Sequence, residues 1–174
     1  LVDAFIRLKQ ENTFKNLRLR AAGGCTAMDQ PFIRSIQKKL HAYGFDNDVD
    51  FPSNFHNAPR REFLRSLSVL STPALHGEAF GIQLIDAMAA GVPVVQPSIG
   101  AYPEIIQATG GGVLYDPESR HGLTDALRSL LGNPEKARAL GHHGRGVVRE
   151  EFNTGRVARD MAKVYEMVID QAKQ

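Results

Sequence analysis

The chain has a single cysteine, Cys25, so it cannot close an internal disulfide or build a cysteine-based zinc site. No apolar run approaches the ~18 residues that a membrane-crossing helix needs, and no secretory signal opens the sequence. Neither sign of charge dominates. With 21 Lys and Arg against 19 Asp and Glu, the net charge is +2, without the concentrated basic face of a nucleic-acid binder. Dedicated ligand motifs are missing too: there is no G-x-G-x-x-G fingerprint, Walker lysine loop, nucleophile elbow or helix with two histidines four apart. Gly110-Gly111-Gly112 precedes a strand and reads as a turn, and the adjacent His142 and His143 cannot both face one ligand on a helix. A soluble domain in a reducing compartment, hence cytoplasmic, is expected.

What is present fits a packed α/β domain. The 174 residues are 43% hydrophobic and 23% charged, which predicts one domain over 1–174 rather than disorder. Leu1, Val2, Phe5 and Ile6 already follow helical spacing, so the chain reads as an N-terminally truncated fragment of a larger protein; a processed natural terminus is the alternative. Short strands are expected at 16–22, 49–51, 69–72, 92–96 and 112–115. Helices are expected to Ala42 from Asp29, from Pro59, over 80–90 and 103–107, and then at about 119–131, 134–152 and 155–172. Strands joined by helices of about ten residues imply crossovers. The fold class is therefore α/β, a Rossmann-like parallel sheet with helices on both faces. Ligands in such sheets bind where strands end, which points to the loops after Ala22, Phe51, Thr72 and Gln96.

One of these loops carries chemistry. From Pro73 to Val95 the order is loop, helix, turn and strand, with Glu78 and Gly81 before the helix and Asp86 within it. The first amides of a helix lack internal partners and carry about half a positive charge, a natural seat for phosphate. Glu78 lies just before that seat, where it suits hydroxyls on a neighbouring moiety better than the phosphate itself. Asp86 and Gln83 are the only polar residues from Ile82 to Ala90, and a carboxylate on so apolar a helix needs a partner. A ribose diol is one reading. A narrow solvent strip through Gln83 and Asp86, with Glu78 as a surface residue, is the other.

The same stretch resembles the E-x7-E signature of retaining glycosyltransferases of family four (group 1), with Glu78 and Asp86 at the acidic positions. Glu78-Ala79-Phe80-Gly81, Asp86-Ala-Met-Ala-Ala-Gly-Val-Pro-Val-Val95, Gly100-Ala-Tyr-Pro-Glu104 and Gly112-Val-Leu-Tyr-Asp-Pro117 carry the likeness, which extends loosely to both ends of the chain. It implies the carboxy-terminal half of a GT-B fold, which binds a nucleoside diphosphate sugar and transfers the sugar, with retention, to an acceptor hydroxyl. By this resemblance Glu78 is the catalytic candidate and binds donor-sugar hydroxyls. The amides of Ala79, Phe80 and Gly81 hold the distal phosphate or sugar, and Asp86 holds the ribose. The base lies near the loops after Ala22 and Phe51. No metal ion and no cofactor are implied, the donor being a substrate. The acceptor site belongs to a missing N-terminal half, which is also where any peripheral membrane association would arise. No nucleic acid is implied as a partner.

Three departures accompany the likeness: Asp86 is a methylene shorter than the usual Glu, Ala74 replaces a common serine, and the family's diphosphate-binding Arg and Lys would lie upstream of Leu1. A helix terminus supplies about 0.3–1 kcal/mol, or up to about 2 when partly buried. Enzymes supply ~8 kcal/mol or more. The fragment alone is therefore expected to be inactive. The alternatives are a non-catalytic nucleotide-binding module or partner subunit, and another Rossmann-like enzyme such as an epimerase or dehydrogenase. Cys25 reads as a half-buried free thiol, Arg60-Arg61 as solvent-facing charge, Glu104 as a helix-start acid and His76 as a loop histidine. Tyr102 either lines the donor site or packs under the sheet end. The last helix, with Val157, Met161, Val164, Tyr165 and Val168 on one face, either packs on this domain or crosses to the absent half.

Overall fold

The structure, a computed structural model, describes residues 1–51, 57–74 and 76–172, without the side chains of 57–59. Helix α1 (Val2–Lys9) leads to β1 (Leu19–Arg20), and α2 (Gln30–Ala42) returns the chain to β2 (Val49–Asp50), parallel to β1. Helix α3 (Asn57–Arg65) is followed by the segment around Leu70, then by α4 (Ile82–Ala89), β3 (Val94–Pro97), α5 (Tyr102–Thr109) and β4 (Gly112–Tyr115). Strands β3 and β4 pair in parallel from Val94–Gly112 to Pro97–Tyr115. Leu70 bridges β3 in parallel, its amide donating to Pro93 and its carbonyl accepting from Val95. Helices α6 (Gly122–Leu131), α7 (Pro134–Glu151) and α8 (Thr154–Gln171) complete the described chain.

Successive strand residues point to opposite faces, and the core divides accordingly. Val94 packs with Leu84 and Met88 of α4, Ile105 of α5 and Val148 of α7. Val95 packs with Leu8 of α1 and Leu127 and Leu130 of α6. Leu114 and Val113 repeat the division on β4, as do Leu70 and Val69 beside β3. Helices thus cover both faces of a parallel arrangement, and β3, buried along its length, is its centre. Around the other ladder, Phe5 and Ile6 of α1 meet Leu40 of α2 above Leu19 and Val49.

Several elements are shorter than the sequence predicts. The strand expected over 16–22 pairs only at Leu19–Arg20, and that over 69–72 is a single bridge at Leu70. Both lie beside the same gap. A cleft of about 700 Å³ separates them, lined by Leu17 and Leu19 on one side, Val69 and Leu70 on the other, and Leu8 and Leu127 across the end. Each therefore has a paired neighbour on one side only. Helix α4 begins at Ile82 rather than Phe80 because Gly81 caps it with left-handed backbone, φ +76°. Phe32, at the start of α2, is exposed, whereas Leu40 near its end is buried. Helix α8 buries none of its residues, so its apolar face does not pack on this domain.

Candidate functional site

The loop from Pro73 to Gly81 leaves the carboxyl end of the Leu70 segment and is pinned from below. Gln96 of β3, fully buried, donates to Thr72 Oγ1 at 3.1 Å and accepts from the Thr72 amide at 3.3 Å. Tyr102, buried in the first turn of α5, donates its hydroxyl to the Thr72 carbonyl at 3.1 Å. Of the two roles the sequence left open for Tyr102, packing under the sheet end is the one observed. Further along, the Ala101 amide donates to the Glu78 carbonyl at 2.9 Å.

Two glycines make this approach feasible. Gly100 has φ +57°, and a Cβ there would fall 2.6 Å from the Glu78 nitrogen and 2.7 Å from its carbonyl oxygen. Any side chain at Gly100 would push the loop off α5. Gly81, with φ +76°, turns the chain into α4 above Ile105 and Tyr102. The Glu78 carboxylate consequently stands over the first turn of α4, where a negative charge is favoured. It accepts from the Ala79 amide at 3.1 Å and from Gln83 Nε2 at 3.3 Å. Gly81 is buried, while Ala79 and the Phe80 ring are exposed at the mouth of the loop.

Asp86 points elsewhere. It lies one turn beyond Gln83, its side chain 36% exposed, and forms an ion pair with Arg60 of α3. It lines a cleft of about 460 Å³ with Arg60, Arg61, Arg65 and Arg149, and Glu78 is not among that cleft's lining residues. The structure thus brings Glu78, Ala79, Phe80 and Gly81 together at the start of α4 and sets Asp86 against α3 and α7. The loop after Phe51, expected near the base, falls on residues 52–56, outside those described, as does Leu75 within the motif.

Smaller expectations fare variously. Arg60 is not merely solvent-facing, since it is the cation paired with Asp86. Cys25 is exposed rather than half-buried, His76 is exposed, and Glu104 sits in the first turn of α5. Sequence reasoning missed Gln96 and Gly100, which hold the loop. A glutamine inside an otherwise apolar strand (Val94, Val95, Gln96) was the available signal for the first. Among the described residues, no three His, Cys, Asp or Glu side chains gather as a metal centre would, and no helix is long and apolar enough to cross a membrane.

Comparisons with known proteins identify the family and the fold. The family described as "Glycosyl transferases group 1" matches residues 1–147. The chain is 32% identical, over 134 residues, to the MMP alpha-(1->4)-mannosyltransferase of Mycolicibacterium hassiacum, covering 76% of this chain and 32% of that protein. Among solved structures it resembles the sucrose-phosphate synthase of Thermosynechococcus elongatus, with a TM-score of 0.80 and 26% identity over 98% of this chain and 41% of that one. It also shares the fold of Anabaena Alr3699/HepE, solved in complex with UDP, with a TM-score of 0.82 and 17% identity over 96% of this chain and 44% of that one. The chain spans about a third of the length of the first curated relatives it matches.

Proposed function

The chain belongs to the group 1 glycosyl transferases, with the Rossmann-like half of a GT-B fold, and from that membership we propose that it is the donor-binding half of a retaining enzyme. The enzyme would move a sugar from a nucleoside diphosphate sugar to an acceptor hydroxyl. The carrying observation is the pinned loop at 78–81: Gly100 and Ala101 hold its backbone, Gly81 turns it into α4, and Gln83 holds the Glu78 carboxylate. Such an arrangement presents the unpaired first amides of α4 to an anion and a carboxylate to the hydroxyls beside it. The Anabaena protein that shares this fold holds UDP.

In the proposal, Glu78 binds donor-sugar hydroxyls and stands at the reacting centre, and the amides of Ala79, Phe80 and Gly81 receive the distal phosphate or sugar. Departure of the diphosphate builds negative charge that fixed dipoles stabilise without reorganising. The Ala79 amide is held by Glu78 itself, so Glu78 must turn toward the sugar for that donor to serve the phosphate. Asp86 takes the ribose hydroxyls and shares or gives up Arg60 when it does so. In this proposal the reaction uses no metal ion and no cofactor, the donor being a substrate, and it runs in the cytoplasm.

In the proposal the remaining cations lie on the first strand and turn of this same half, upstream of Leu1, and the acceptor site belongs to the N-terminal half. That strand fills the cleft between β1 and Leu70, joining the two ladders, and the apolar face of α8 docks on the N-terminal half. A non-catalytic nucleotide-binding module is the second reading, favoured by the pairing of Asp86 with Arg60. Titration of the full-length protein with UDP, GDP and ADP and their glucose and mannose conjugates, with product analysis, separates the two. Donor turnover that falls at least about tenfold in Glu78→Gln supports the enzyme, since a lost hydrogen bond to a charged group costs roughly 1.5–3 kcal/mol. Nucleotide binding without turnover supports the module.

A further inference from the structure

We propose that the cleft between α3, α4 and α7, which shares Asp86 with the proposed ribose contact, is a binding site for the phosphate group of a small molecule, distinct from the phosphate seat at the loop 78–81. Arg60, Arg61 and Arg65 of α3 and Arg149 of α7 line it, and Asp86 is its one acidic residue. Arginine stays protonated at any physiological pH, so three positive charges stand in excess. Arg60 is paired with Asp86, whereas the guanidinium groups of Arg61, Arg65 and Arg149 have no partner among the described residues. Like charges gathered in one partly enclosed cleft repel one another and draw a counter-anion.

Size and geometry narrow the class. A cleft of about 460 Å³ lies within the roughly 300–1,000 Å³ typical of small-molecule sites. Guanidinium forks match phosphate oxygens two at a time, which a lone carboxylate ligand exploits less fully. Three excess charges also match a dianion better than a monoanion. With a net charge of +2 the chain lacks the strongly basic balance that favours a nucleic-acid backbone. Two of the arginines, Arg65 and Arg149, lie in the last turns of their helices, where cations also offset free carbonyls. Arg60 and Arg61 lie farther back on α3 and have no such carbonyls to serve, yet they line the same cleft.

The test is an equilibrium titration of the full-length protein with inorganic phosphate at low ionic strength. Saturable binding that weakens about tenfold or more in the double variant Arg61→Gln/Arg149→Gln, and is unchanged in the remote Lys163→Gln, supports the proposal. Arg149→Lys, which keeps the charge and loses the fork, should give an intermediate loss, and it stands in if the double variant does not fold. Binding abolished by Gly81→Val but indifferent to the arginines would place the ion at the 78–81 loop and overturn the proposal. A loss equal in all variants, or no saturable binding, would overturn it as well. Nucleoside diphosphate binding is measured on the same variants: its failure alone counts against the donor reading and not against this cleft.

Discussion

Gly100 is the residue on which the candidate site most depends, although no ligand need touch it. Its hydrogen atoms face the backbone of Glu78 where a methyl group would stand 2.6 Å from a nitrogen. Gly100→Ala must move either the loop or the first turn of α5, and it adds left-handed strain. We expect a loss of about 1–3 kcal/mol in a urea melt, with nucleotide affinity falling further than the same loss elsewhere would cause. Arg60 is the opposite case. Its pair with Asp86 is more than a third exposed on both sides, and such pairs contribute about 0–1 kcal/mol. Arg60→Ala should shift the unfolding midpoint by less than about 1 kcal/mol. A larger loss would mean that α4 needs this cation for its packing. The residue scale also marks where reading from sequence stops. The junction at Glu78 and Gly81 was legible as a loop entering a helix, because such turns have fixed chemistry. Gly100 and Arg60 were not, because each acts on a residue more than twenty positions away, and only the folded crossovers bring them there.

At the scale of elements, two carboxylates tie the early segments down and make the fold acid-sensitive. Arg128 of α6 holds both oxygens of Glu11 and pairs with Asp125, and its hydrogen bonds keep the Glu11 carboxyl below its ordinary range. Asp29 accepts from the amide and hydroxyl of Thr26 before α2, which lowers its carboxyl likewise. A carboxyl depressed in the folded chain contributes stability that is fully present above its unfolded pKa and lost as pH falls through the folded value. The thermal midpoint should therefore be flat near neutrality and decline below the ordinary carboxylate range. Arg128→Gln should flatten part of that decline, and an unchanged acid limb would contradict the assignment. Helix α8 rests on local chemistry alone, with Asn153 accepting from the Arg156 amide at 2.9 Å and no residue buried. Short of tertiary burial, helices are marginal. Amides of α8 should exchange with deuterium far faster than those of α4, and Asn153→Ala should widen the difference by about 1 kcal/mol. Helix positions were the most legible feature of the sequence, since caps such as Asn133, Asn153 and Gly110 lie within it. Strand lengths were less so, because β1 and the Leu70 segment border a cleft and pair on one side only, which no local pattern reveals.

As a whole molecule the chain has one organised loop, an open cleft between its two ladders and an apolar face on α8 that no described residue covers. The parallel order and the helices on both faces follow from alternation along the sequence, and the division of Val94 from Val95 between opposite cores bears that out. What alternation could not supply is the gap between the ladders. If the proposed strand upstream of Leu1 fills that gap, restoring it should raise the unfolding midpoint and slow exchange at Leu19 and Leu70 together, whereas protection at neither would contradict the strand-filling account. The most direct measurement is calorimetric titration of the full-length protein with UDP, GDP and ADP, in wild type and in Gly81→Val. The account predicts saturable binding of at least one of them and its loss in the variant, whose melting shows that it remains folded. Binding that is undiminished in Gly81→Val, or absent for all three nucleotides, would contradict it.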